Sequence, residues 1–166
     1  IEKIISDKDF PLSERTGKWG AQDHVLFQRL MKDLKEEKQK EPFLKLVQTS
    51  SSHEPFEVPF HRLDDKILNS FAYADSCVGD FVKQYQETPL WKNTLFVLVP
   101  DHQGAYPYPI ENPLDGQTIP LILIGGAIKQ QLVVDTYASK TDIAATLLAQ
   151  LGLPHDELKK KKNIMN

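Results

Sequence analysis

Apolar positions along this chain fall into two periods. Val25, Leu26, Phe27, Leu30, Met31 and Leu34 recur at helical spacing and predict an amphipathic helix. Asp23 sits where its N-cap belongs, and its far end runs into the solvated charge run KEEKQKE. A longer stripe of Ile67, Leu68, Phe71, Ala74, Val78, Phe81, Val82 and Tyr85 predicts a second helix over 64–87, started by Asp64 or Asp65. Gly79 inside it suggests close backbone packing, since an exposed glycine there only costs stability. KTDIAATLLAQLG predicts a third helix, over 140–151, with Asp142 fixing its start and Gly152 and Pro154 stopping it. Between the helices lie runs of strand character: IEKII, PFLKLVQTSSS, the five apolar residues of 95–99, IPLILIG, and the short extended piece QLVVDTY. Strands alternating with helices predict an α/β fold with a largely parallel sheet flanked by helices. Segments 44–49, 95–99 and 119–124 are expected to be adjacent, mostly parallel strands, with the second and third helices packed on them.

Composition narrows the function. The 166 residues suffice for one domain with a core, and the hydrophobic fraction of 40% and charged fraction of 26% are those of an ordinary globular protein. A net charge of −3 argues against a nucleic-acid surface, which needs a basic face. Cys77 is alone, so the chain has no internal disulfide. No apolar run reaches membrane-spanning length, and no signal-peptide pattern is visible. The chain begins at Ile1, in mid-phrase, and reads as a piece of something longer.

The candidate chemistry sits just past two strands. Segment 95–99 is stopped by Pro100 and followed at once by Asp101 and His102, with Gly104 allowing a sharp turn. Segment 44–49 runs into Ser50, Ser51, Ser52 and His53. If both strands are parallel neighbours, these groups converge on the carboxyl edge of the sheet, where open α/β folds bind ligands. An oxygen and nitrogen donor set of this kind suits a divalent metal, but two protein ligands are only half a site. The remaining polar candidates have ordinary readings. His24 is solvated, His61 with Arg62 lies on a surface loop with an anion-binding alternative, and His155 is a polar residue near a helix end. Trp19 beside Gly20 is a packed loop anchor or a pocket wall; Tyr106 and Tyr108 line a cleft or cover the core. Lys159 to Lys162 form a solvated connector.

VPDHQGAY, then IPLILIGGAI, then SKTDIAATLLAQLGLP resemble the sulfatase branch of the alkaline-phosphatase superfamily, most of all lipoteichoic acid synthase and related phosphoglycerol transferases. WGAQD, TSSSHEPF, FAYADSCVGDFV and KNIMN match segments of that group in the same order. The resemblance implies an alkaline-phosphatase-like α/β fold. It makes residues 1–166 an incomplete fragment, the carboxyl-terminal part of a catalytic domain whose amino-terminal part, with the threonine nucleophile and a glutamate ligand, is absent. It implies that Asp101 and His102 bind a divalent metal, Mn2+ foremost, with Mg2+, Ca2+ or Zn2+ as alternatives. It makes His53 the group that contacts the transferred phosphate or the leaving oxygen, with Trp19 a possible headgroup contact.

The implied reaction is transfer of phosphoglycerol or phosphoethanolamine to or from a phospholipid or glycan headgroup. The intact enzyme would work at the extracytoplasmic face of a bacterial membrane, attached through segments outside this chain. The fragment alone is expected to be inactive. A sulfatase, or a non-catalytic binding domain derived from such an enzyme, stays open. Cys77, in CVGDF, does not fit the formylglycine motif, YPIENPLDGQTIPLIL lacks the lysine usual in sulfatases, and Gln103 stands inside DHQG. These features favour the transferase side.

Overall fold

The computed structural model describes residues 2–38, 40–103, 115–154, 158 and 164. Tyr106, Tyr108, His155 and Lys159 to Lys162 lie outside the described residues. The chain divides into two compact units, Ile1–Ala127 and Ile128–Asn166.

In the first unit, helix α1 (Asp23–Glu36) packs against α2 (Lys66–Gln86). Met31 and Leu34 of α1 and Phe81 and Tyr85 of α2 form one buried cluster, sealed by Phe27, Leu30, Leu90, Trp91 and Phe96. Each such side chain contributes roughly 1.5–3 kcal/mol by leaving water. Phe96 meets Tyr85 edge-on at a ring separation of 5.1 Å, an arrangement that brings positive ring edge to negative ring face. A second cluster gathers Val58, Tyr73 and Cys77. The buried residues of α2 are therefore Asn69, Ser70, Tyr73, Cys77, Phe81 and Tyr85, whereas Ile67, Leu68, Phe71, Ala74, Val78 and Val82 are only half-buried. Gly79 does not mark close packing: a side-chain carbon there would meet nothing within 4 Å.

Strand β1 (Phe96–Leu98) pairs with β2 (Ile122–Ile124) in antiparallel register, Val97 opposite Leu123. This departs from the expected parallel pairing. A parallel return needs a crossover that carries the chain back, usually a helix, and no helical stripe lies between these strands. Segment 44–49 is not a strand; Leu44 and Leu46 are exposed and the segment has no ladder partner among the described residues. IEKII likewise makes no strand, and Ile4 stands in solvent.

The start of β1 is held firmly. The Tyr85 hydroxyl hydrogen-bonds Thr94 Oγ1 at 2.9 Å, and Thr94 Oγ1 reaches Leu90 O at 2.7 Å. Gly125, at φ +143, passes so close that a Cβ would sit 2.1 Å from Thr94 O, which only glycine permits. These contacts fix the strand that leads to Asp101.

The second unit is built on α3 (Asp142–Gln150). As expected, Asp142 fixes the helix start: it is buried and accepts the Ser139 N–H at 2.9 Å. Thr146 donates to the Asp142 carbonyl and accepts the N–H of Ile164.

Candidate functional site

Trp19 rides on a tight turn. Gly17 and Gly20 exchange both backbone hydrogen bonds, 2.9 and 3.2 Å, leaving Lys18 and Trp19 as the two residues of the loop. Gly20 has φ +107, and a Cβ there would lie 2.3 Å from the Asp7 carboxylate. The indole thus projects outward, about half exposed, with the Lys18 ammonium 5.4 Å from the ring centre.

His53 sits on a second turn. Its N–H donates to Ser50 O and its carbonyl accepts from Phe56 N. Phe56 is held at φ +62, a left-handed conformation costing a bulky residue on the order of 1 kcal/mol. The indole N–H of Trp19 donates to Glu54 O at 2.7 Å, and the Trp19 and His53 rings meet edge-on at 4.7 Å. His53 Nδ1 lies 3.2 Å from the same Glu54 carbonyl. A carbonyl can only accept, so Nδ1 carries a proton and Nε2 is the ring nitrogen this contact does not engage. One backbone oxygen therefore orients both rings. The structure brings Trp19 and His53 together.

Behind this turn is Asp23, fully buried. It is not the N-cap of α1; Gln22 is, and Asp23 is the first helical residue. Its Oδ1 accepts the N–H groups of Ser50 and Ser51 at 2.9 and 3.2 Å, and its own N–H donates to Ser51 Oγ at 2.9 Å. The carboxylate sits at the positive end of α1, which partly offsets its burial. Its place before the helical stripe suggests only a local cap, because both serine partners lie far along the chain. The adjoining recess, lined by Gln22, Ser50, Ser51, His53, Pro55 and Glu57, has a volume of about 20 Å³, enough for one water and not for a headgroup. His24, next along α1, hydrogen-bonds the Tyr73 hydroxyl. His61 and Arg62 are exposed, with the Arg62 guanidinium stacked 4.9 Å from the Phe60 ring centre, as on a surface loop.

Asp101 and His102 follow β1 and are exposed. His102 Nδ1 lies 2.8 Å from Gln103 O, so it too donates from Nδ1. Its Nε2 is 3.4 Å from Asp101 Oδ2. A ring fixed through Nδ1 to a carbonyl, with Nε2 beside a carboxylate oxygen, is a fitting two-donor set for a divalent cation. Among the described residues, however, no three His, Cys, Asp or Glu side chains gather as a metal site needs. His53 is not collected with Asp101 and His102 into one cluster, and the expected convergence on a shared sheet edge is not formed by these residues.

Comparison with known proteins gives this arrangement its context. A structure from Vibrio parahaemolyticus, a protein in the alkaline phosphatase superfamily, superposes with a TM-score of 0.83 at 24% identity. It covers 99% of this chain and 42% of that one, which establishes an alkaline-phosphatase-like α/β fold. The sulfatase family model matches residues 2–153, and the chain belongs to the sulfatase family. A Bacillus subtilis relative, lipoteichoic acid synthase-like YvgJ, is 26% identical over 182 aligned residues. That match spans 92% of this chain but 29% of the relative. The chain thus covers less than half the length of either protein.

Proposed function

We propose that this chain is the carboxyl-terminal part of a metal-dependent transferase that moves phosphoglycerol or phosphoethanolamine between cell-envelope lipid or glycan headgroups. The reading places the intact enzyme on the extracytoplasmic side of a bacterial membrane, attached by segments outside this chain. The observation that carries it is the exposed His53 imidazole, oriented by the Glu54 carbonyl and packed on Trp19. The likeness to a lipoteichoic acid synthase-like protein supports the substrate class.

In this reading His53, protonated on Nε2, donates to a phosphate oxygen or gives that proton to the leaving oxygen, and the ring is left neutral. Trp19 supplies an apolar wall beside it. Asp101 and His102 contribute two ligands to a divalent metal, Mn2+ foremost, and the nucleophile is not in this chain. When bound, such a metal lowers the pKa of a coordinated hydroxyl and neutralises charge on phosphoryl oxygens. Sulfate-ester hydrolysis is the second reading, supported by the family match itself.

Substitution in the full-length enzyme separates the roles. His53→Ala is expected to leave the Mn2+ content unchanged and lower phosphoglycerol transfer by roughly 100-fold or more. Asp101→Ala is expected to empty the metal site and abolish turnover together. An emptied site in His53→Ala would make His53 a ligand, and near-normal turnover would make it a bystander. Release of sulfate from aryl sulfate esters, without phosphoglycerol transfer, would favour the second reading.

A further inference from the structure

We propose that Asp23 is a positioning residue for His53, holding the Ser-Ser-His turn in the conformation that presents the imidazole. The proposal rests on the reading of His53 as the substrate-facing group. An Asp serving only its helix would spend its carboxylate on nearby helical N–H groups. Asp23 instead spends Oδ1 on Ser50 N and Ser51 N, 27 and 28 positions away in sequence. The return bond from its own N–H to Ser51 Oγ makes the contact reciprocal.

The path to the imidazole is short. Ser50 N is fixed by Asp23, and Ser50 O accepts the N–H of His53. The same turn carries the left-handed Phe56, a conformation that persists only where surrounding contacts over-determine it.

Asp23 Oδ2 points the same way. It is buried and has no hydrogen-bond partner among the described residues. A carboxylate half of whose acceptors go unused is a costly choice for stability alone. Its two N–H acceptances on the turn are the return on that cost.

The test follows the geometry of His53 directly and does not depend on turnover. Fluorotryptophan is placed at position 19 of the full-length protein, and its fluorine resonance is recorded with and without His53→Ala. Removing the imidazole from the indole edge shifts the resonance in the native background. In Asp23→Ala the same His53→Ala change is expected to shift it by less than half as much, the mark of two coupled positions. Asp23→Asn keeps the accepting oxygen and is expected to restore most of that shift. With activity as a second readout, Asp23→Ala lowers kcat by roughly 10- to 100-fold with little change in KM and none in metal content.

An undiminished shift in Asp23→Ala overturns the proposal, and so does a shift that Asp23→Asn fails to restore. Should Asp23→Ala lose its helical circular dichroism, Asp23→Leu, which fills similar space without an acceptor for Ser50 N and Ser51 N, takes its place, and an undiminished shift there is equally fatal. The two readings fail separately: a collapsed shift with normal turnover in His53→Ala leaves Asp23 as the positioning residue and removes His53 from the chemistry.

Discussion

Tyr73 and Cys77 lie one helical turn apart on the buried face of α2, and burial raises the pKa of both. The Tyr73 phenol is pushed well above its ordinary 10.0, first by burial and then by the neighbouring Cys77. The Cys77 thiol is pushed above 9.0, again chiefly by burial. In each case the folded state resists losing a proton that the unfolded chain gives up more readily. Their contribution to stability is therefore complete below the unfolded values and lost as pH rises through them towards the folded ones. Urea midpoints measured from about pH 8 to 11 are expected to fall, starting near pH 9. Tyr73→Phe lowers the whole curve, because it loses the His24 bond, but flattens its alkaline limb. An alkaline slope unchanged in Tyr73→Phe would sink this account. Gly20→Ala is expected to destabilise by about 1–3 kcal/mol, since φ +107 and the Asp7 carboxylate both reject a methyl group. Chemical denaturation measures it. The types of His53 and Trp19 are visible in the sequence, but the contact between their rings is not, because it joins two turns far apart along the chain. Asp23 was misread because its partners are far along the chain. The spacing of GKWG, a glycine on either side of two residues, was the available signal for the Trp19 turn.

Helices were legible because their determinants are local. Asp65 accepts the N–H groups of Ile67 and Leu68 at 2.7 and 3.0 Å, so α2 begins within two residues of its predicted start. Asp65→Ala is expected to cost about 1 kcal/mol by thermal unfolding. Gly79→Ala should run the other way and gain up to about 1 kcal/mol, because the open space beside it removes any steric objection. A loss of stability there would mean that packing against Gly79 exists after all. The α2 stripe is right at Phe81 and Tyr85 and misses the rest of the buried face, because Asn69, Ser70, Tyr73 and Cys77 are polar or small types that an apolar stripe leaves out. Strand pairing was not legible. The apolar runs show that 95–99 and 119–124 want burial, but which strand lies beside which is a property of distant segments. Segment 44–49 shows the same limit: strand-like composition without a ladder partner among the described residues leaves Leu44 and Leu46 in water.

At the scale of the whole molecule, the chain matches 29% of its Bacillus relative and 42% of its structural neighbour. A catalytic metal generally needs three or more protein ligands, and the described residues offer the Asp101–His102 pair. Two exposed donors compete poorly with the six or so waters of a hydrated divalent ion. The 166-residue chain by itself is therefore expected to bind Mn2+ only weakly, and to transfer no phosphoglycerol. Titration calorimetry on the isolated chain should give little saturable heat, and Asp101→Ala should alter it hardly at all. In the full-length enzyme the same substitution should abolish saturable Mn2+ binding. The contrast between the two backgrounds is the informative quantity, since it shows whether the ligand pair acts alone or as part of a larger set. Tight stoichiometric binding by the isolated chain, lost in Asp101→Ala, would place a complete ligand set within these residues and overturn the division of the catalytic centre proposed above.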